Sequence, residues 1–315
     1  MLAVTGATGQ LGGRVARRLA RLGLKQRIIV RDPSRMPSLP GAEIVGVHSY
    51  GDAESMRPAL KGIKTLFLVS ARDRFGVAHI SAKNRVNPPP YDRLQQQITA
   101  VDSAVSAGVR HIVYLSVMNP APDATFILAR DHFYTEEHIA ATGVAFTFLR
   151  ASLYMDNVPQ SVSADGVIRA PAGKGTVAWV SRDDIAEVAV AVLTGKGHER
   201  CIYDVTGPEA LSMAQTAQQL SNAVGRKIVY RAQTPEEARH TRSTSRLEKF
   251  EAERRMLTGR GLDDYEVEVF VTHFMQIAAG DLAEVSDTVQ KLTGHPAQSL
   301  AEFLRQHPES CSHLF

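Results

Sequence analysis

Along the first 150 positions, short apolar runs alternate with stretches whose apolar residues recur every three or four positions. The runs Leu2 to Thr5, Arg27 to Val30, Ile44 to Val47, Thr65 to Val69, His111 to Ser116 and Ala145 to Leu149 are short and rich in branched side chains, which predicts strands. Between the first two, Leu11, Val15, Leu19 and Leu22 share one helical face, and Arg14, Arg17, Arg18 and Arg21 fall on another that is read as solvated. A second helix carries Ile98, Val101 and Val105 and closes at Gly108. Strands alternating with helices in this way wind a parallel sheet with helices on both faces, so the predicted class is α/β, doubly wound. The polar stretch Arg72 to Arg93, with Pro88-Pro89-Pro90, reads as a long irregular loop, either a lid or a surface insertion.

After Arg150 the elements shorten. Strands are predicted at Gly166 to Ile168, Val177 to Val180, Ile202 to Val205 and Ile228 to Tyr230, with helices at Asp183 to Leu193 and Ser212 to Val224. The expected organisation is a dinucleotide-binding domain over 1–150 and a smaller, interleaved α+β substrate region over 151–315. Ser181 followed by Asp184 reads as a reciprocal helix cap, which makes Asp183 and Asp184 structural rather than catalytic. Glu236 to Arg255 carries both signs of charge, as an exposed helix does, and Leu300 to Leu304 reads as a terminal docking helix.

Composition narrows the classes. With 315 residues, 44% hydrophobic and 22% charged, the chain can bury a large core. A net charge of +3 is small for this length, so direct nucleic-acid binding is not expected, whereas anionic small molecules fit. Cys201 and Cys311 stand alone and build neither a disulfide framework nor a thiolate metal site. No run approaches the roughly 20 apolar residues a membrane span needs. A strand beginning at Leu2 leaves no room for a charged leader, and the expected location is the cytoplasm. Nothing in the composition opposes a homo-oligomer.

The candidate chemistry sits at the start. Gly6-Ala7-Thr8-Gly9-Gln10-Leu11-Gly12 follows a predicted strand and opens a predicted helix, the context in which glycines cradle a pyrophosphate. Gly6 permits the tight turn, Gly9 lets backbone approach the phosphates, and Gly12 lets the helix pack on the strand, while the helix N-terminus offers unpaired N–H groups. At the end of the second strand an acid would hold a ribose 2′-hydroxyl and an arginine a 2′-phosphate; the residue there is Arg31, with Arg35 a turn later, so NADP(H) is favoured over NAD(H). Asp32 is placed to cap the following turn. Ser70 and Ser116 end the fourth and fifth strands on the carboxyl edge, as cofactor or substrate contacts or as strand-end turn residues.

Together with Tyr114-Leu115-Ser116, Ala129-Arg130-Asp131-His132, Phe148-Leu149-Arg150, Val180 to Ala186 and Tyr203 to Glu209, the glycine turn resembles the NmrA-like branch of the atypical short-chain dehydrogenases/reductases, and within it the NAD(P)H:quinone oxidoreductases. The resemblance implies a Rossmann domain binding NADPH, a cleft against the C-terminal region, and hydride transfer to a quinone or similar conjugated carbonyl. Tyr134 and His132 are the catalytic candidates; His132 and Glu136, one helical turn apart on one face, are placed to pair along the cleft, and Phe148, Tyr154 and Asn157 are its candidate walls. Departures matter as well. Tyr134 is followed four positions on by His138 rather than by the lysine that lowers a catalytic phenol's pKa, and Glu137 stands where such reductases often carry lysine. Two ligands without a third make a metal improbable at His132 and Glu136. A quinone is electron-poor enough to be reduced without a strong enzyme acid. The alternative expectation is an NADP(H)-binding redox sensor without turnover.

Overall fold

The computed structural model describes residues 1–70, 93–243 and 264–314. The predicted loop, up to residue 92, and the charged stretch beyond residue 243 lie outside the described residues. The chain runs β1 (Leu2–Thr5), α1 (Gln10–Arg21), β2 (Gln26–Val30), β3 (Ala42–Gly46), α2 (Ala53–Leu60), β4 (Thr65–Val69), α3 (Arg93–Ser106), β5 (His111–Val117), α4 (Ile127–Ala141) and β6 (Ala145–Ala151). There follow β7 (Val167–Ala170), β8 (Thr176–Val177), α5 (Arg182–Thr194), β9 (Cys201–Val205), β10 (Leu211–Ser212), α6 (Met213–Val224), β11 (Val229–Ala232), α7 (Asp264–Ala279), α8 (Thr288–Thr293) and α9 (Leu300–Gln306).

Seven parallel strands form the main sheet in the order β3-β2-β1-β4-β5-β6-β9. The order reverses between β1 and β4, which opens the ligand crevice of such sheets at the carboxyl ends of those strands. Because successive side chains alternate across a strand, each strand feeds two cores. Val4, Phe67, Val113, Leu115 and Leu149 pack with Leu11, Val15 and Leu19 of α1 and with Ile185 and Val188 of α5. Ala3, Leu66, Leu68, Ile112, Tyr114 and Phe148 pack under α2, α3 and α4. A third core, around Trp179, Leu220, Ile277 and Phe303, holds the C-terminal region and its two small sheets, β10-β8 and β11-β7.

Four expectations change. Leu22 is 60% exposed, because α1 ends at Arg21 and Gly23 turns the chain with φ +72. The arginine face of α1 is not wholly solvated: Arg14 and Arg18 ion-pair with Asp183 at 3.2 and 2.7 Å, and Arg18 with Glu187 at 3.1 Å, riveting α1 to α5. Ser181 does cap α5, accepting from Asp184 N at 2.9 Å, but the Asp184 carboxylate accepts from Gln298 N at 3.0 Å instead of returning to the cap. Both aspartates thus have structural partners. The predicted strand Val177 to Val180 is shorter, ending at Val177, with Val180 bridging Tyr154 in parallel. β9 and α5, although late in sequence, belong to the main sheet and its α1 face, so the two halves of the chain interleave.

Candidate active site

The glycine turn lies at the crevice. Gly6 has φ +64, and a Cβ there would sit 3.0 Å from Val69 Cβ. Gly9 N donates to Gly6 O at 2.9 Å and closes the turn. A Cβ on Gly12 would come within 2.5 Å of Gly6 O and 2.7 Å of Thr5 O, so only glycine allows α1 this close to β1. Gly9 caps α1 without a side-chain hydrogen bond, no acid lies in the first turn, and the first bond back from the helix is Gly13 N to Gly9 O. The N–H groups of Gln10, Leu11 and Gly12 therefore face the crevice end of the helix with its partial positive charge. Thr8, Gly9 and Gln10 are exposed and Leu11 is buried in the core.

At the end of β2, Arg31 and Arg35 are exposed. Asp32 caps the following turn, its Oδ1 accepting from Ser34 N at 3.0 Å and from Ser34 Oγ at 2.6 Å. A carboxylate so engaged is not offered to a ribose.

Beneath the carboxyl edge on the α3 and α4 side runs a buried polar chain with a fixed direction. Arg93 Nη2 lies 2.8 Å from His132 Nε2 and can only donate, so that nitrogen accepts and Nδ1 carries the proton. Nδ1 then donates to Tyr114 Oη at 2.8 Å, Tyr114 donates to Gln97 Oε1 at 2.8 Å, Gln97 Nε2 to Thr135 Oγ1 at 3.0 Å, and Thr135 to Asp131 O at 2.6 Å. Arg93 also pairs with Asp131 at 3.0 Å. Burial, then the neighbouring Arg93 charge, drives the His132 imidazole well below its ordinary pKa, and burial pushes the Tyr114 phenol up.

Several expected site residues move as a result. His132 is only 3% exposed with both ring nitrogens engaged, so it supports Arg93 and Tyr114 and has no nitrogen left for a substrate. Glu136 does not pair with His132; it takes Arg150 bidentately at 3.1 and 2.6 Å, which holds that guanidinium above its usual pKa despite the cost of burial. Tyr134 is 46% exposed on the outer side of α4, its ring against Phe133, and His138 pairs with Asp102. Phe148 stacks on Phe146 at 4.3 Å inside the core and lines no crevice.

Other residues do gather at the edge. Ser116 and Ser152 are buried, and their hydroxyls have no partner among the described residues. Ser116 shares a strand face with Tyr114, and Ser152 follows Phe148 and Arg150 on the same face of the neighbouring strand. Buried hydroxyls are rarely left unpaired, and these two stand together at the carboxyl edge, open to further partners. Ser70 follows β4, half-buried. Tyr154 lies three positions past β6 under the Arg182 guanidinium, 4.7 Å from the ring centroid, and Arg182 is held by Asn157 Oδ1 at 2.9 Å and Asp156 at 3.3 Å. Sequence spacing overlooked Arg93, Ser152 and Arg182; only strand parity along β6 would have pointed to Ser152.

The parallel sheet and its switch-point glycine turn define an α/β protein of the Rossmann class. A model of the NmrA-like family matches residues 1–255. An NAD(P)H azoreductase from Xenophilus azovorans is 30% identical over 98% of this chain and 98% of its own length. Quinone oxidoreductase 2 of Escherichia coli is 31% identical over 100% of this chain and 99% of its own. The crystal structure of an NADPH-dependent quinone oxidoreductase complexed with NADPH, also from Escherichia coli, matches with a TM-score of 0.80 at 27% identity, covering 97% of this chain and 99% of that one. The chain belongs to the NmrA-like family and is an oxidoreductase related to these reductases. Among the described residues, no helix is long and apolar enough to cross a membrane.

Proposed function

We propose that the protein reduces a quinone or a similarly conjugated acceptor with NADPH. The carrying observation is the start of α1, where a glycine turn with no side-chain cap and no acid meets an arginine-bearing end of β2. In this reading Gly6, Thr8, Gly9, Gln10, Leu11 and Gly12 surround the pyrophosphate, and Arg31 takes the 2′-phosphate, with Arg35 beside it. Bound NADPH supplies a hydride. The unpartnered hydroxyls of Ser116 and Ser152, with Ser70, offer hydrogen bonds at the carboxyl edge, and Tyr154 and Asn157 wall the acceptor's place. The chain's own share of the work is to orient the two reactants and exclude water.

Purified protein mixed with NADPH and a panel of quinones and azo dyes tests this directly. Consumption of NADPH above background with one or more acceptors is expected. No turnover with any acceptor, alongside tight binding that separates NADPH from NADP+, refutes the reductase reading in favour of a redox sensor, which must bind the two forms unequally to report their ratio.

A further inference from the structure

We propose that Tyr154 is the proton donor of the acceptor site, its Oη–H delivering a proton to the reduced acceptor oxygen beside the Arg182 guanidinium that covers its ring. This rests on the reductase reading above and assigns the acid that Tyr134 and His132 do not provide.

The hydroxyls of three other tyrosines near the sheet are spent. Tyr114 donates to Gln97, Tyr203 contacts His198 Nδ1 at 2.9 Å, and Tyr230 donates to Ala170 O at 2.9 Å. Tyr154 Oη makes no hydrogen bond to any described residue. Its placement is nevertheless rigid. Met155 N donates to Val180 O at 2.9 Å and Val180 N to Leu153 O at 3.0 Å, clamping the backbone on both sides, and the ring packs on the apolar cluster of α1 and α5. Tyr154 is half-buried, so a phenol held this firmly keeps its polar end within reach of an incoming ligand.

Its electrostatic setting suits an acid. Burial keeps the phenol protonated, the charges of Arg182 and Arg93 favour the phenolate once the proton leaves, and Asp156 opposes them. Arg182, on α5, lies over the ring at 4.7 Å from its centroid. In a tyrosine acid of the usual kind a lysine plays this part; here an arginine does.

The step balances as follows. The quinone gains a hydride, two electrons and one proton, from NADPH, which leaves as NADP+. Its reduced oxygen forms a new O–H bond with the Tyr154 proton, giving the hydroquinone, and the phenolate regains a proton from water. One solvent proton is consumed per turnover.

Tyr154→Phe removes the hydroxyl and keeps the ring. In the presence of NADP+, 4-nitrophenolate stands in for the reduced acceptor oxygen, and its affinity should fall by about tenfold in the variant, the usual effect of losing a hydrogen bond to a charged oxygen. NADPH affinity should stay at the wild-type value, and kcat with an active quinone should drop by at least about tenfold. Equal 4-nitrophenolate affinity in the two proteins overturns the proposal without touching the reductase reading. A wild-type protein that oxidises no NADPH with any acceptor refutes the reductase reading, while the 4-nitrophenolate comparison still decides Tyr154. A crystal of the wild type with NADP+ and 4-nitrophenolate needs no variant: the phenolate oxygen within hydrogen-bond distance of Tyr154 Oη supports the assignment, and any other position overturns it.

Discussion

Gly9 and Gly12 stand three residues apart in one turn, yet the structure assigns them different physical jobs, and alanine at each should separate those jobs. A Cβ on Gly12 would meet Gly6 O at 2.5 Å, Gly6 C at 2.6 Å and Thr5 O at 2.7 Å. All three are backbone atoms of the β1 end and turn, so no side chain can swing aside and α1 itself must shift. Overpacking of this kind costs about 1–3 kcal/mol. At roughly 2 °C per kcal/mol for a chain of this length, Gly12→Ala should lower Tm by about 2–6 °C with no ligand present. At Gly9 the contact is milder, 3.1 Å to Gly6 O, and the backbone, φ −90 and ψ 175, suits alanine. Gly9→Ala should therefore fold with the wild-type Tm while its methyl enters the phosphate cradle. If its NADPH affinity falls tenfold, then at a concentration 100 times the wild-type Kd the ligand stabilises wild type by about 2.7 kcal/mol and the variant by about 1.4 kcal/mol. Differential scanning fluorimetry with and without NADPH reads both effects. Unchanged Tm in ligand-free Gly12→Ala, or wild-type NADPH stabilisation in Gly9→Ala, refutes the division of labour.

Three further outcomes are expected. Arg31→Ala should weaken NADPH binding by about ten- to a hundredfold through loss of a charge-assisted contact and leave NADH binding unchanged, by isothermal titration; equal loss for both cofactors refutes the 2′-phosphate assignment. His132→Ala leaves Arg93 and Tyr114 each short of a buried partner and should cost about 2–4 kcal/mol in urea unfolding. The same histidine sets a pH dependence: its folded pKa lies well below 6.5, so the unfolded chain binds the proton first. Its stabilisation is complete above pH 6.5 and is lost at about 1.4 kcal/mol per pH unit as pH falls toward the folded value; His132→Ala should lower the slope by that amount, leaving the share of His111 and His273, and an unchanged slope refutes the neutral-histidine assignment. Tyr134→Phe, on an exposed helix face, should keep reductase activity within about twofold, and a larger loss would return Tyr134 to the site.

Much of the frame was legible in order along the chain, because strand and helix periodicities are local. Every strand of the first half appears within two residues of its predicted place, and the glycine turn falls between β1 and α1 as its spacing requires. The same locality explains the failures. One-turn spacing put His132 beside Glu136, but α4 faces two neighbours at once, and each side chain found a stronger partner across space: Arg93 for His132 and Arg150 for Glu136. Phe148 sits near the cleft in sequence order and inside the core by strand parity.

Sequence alone thus determined the α/β class, the family likeness, the phosphate turn and the arginine at the end of β2, since each is read from local periodicities and short motifs that need no contact across space. Tertiary structure decided which polar residues are spent and which remain for chemistry. A buried donor or acceptor is committed by whatever the packing brings within about 3 Å, and that distance is set by elements far apart in the chain. By that criterion His132 and Glu136 are spent, 39 and 14 positions from their partners, whereas the buried hydroxyls of Ser116 and Ser152 stand unpaired among the described residues at the sheet's carboxyl edge.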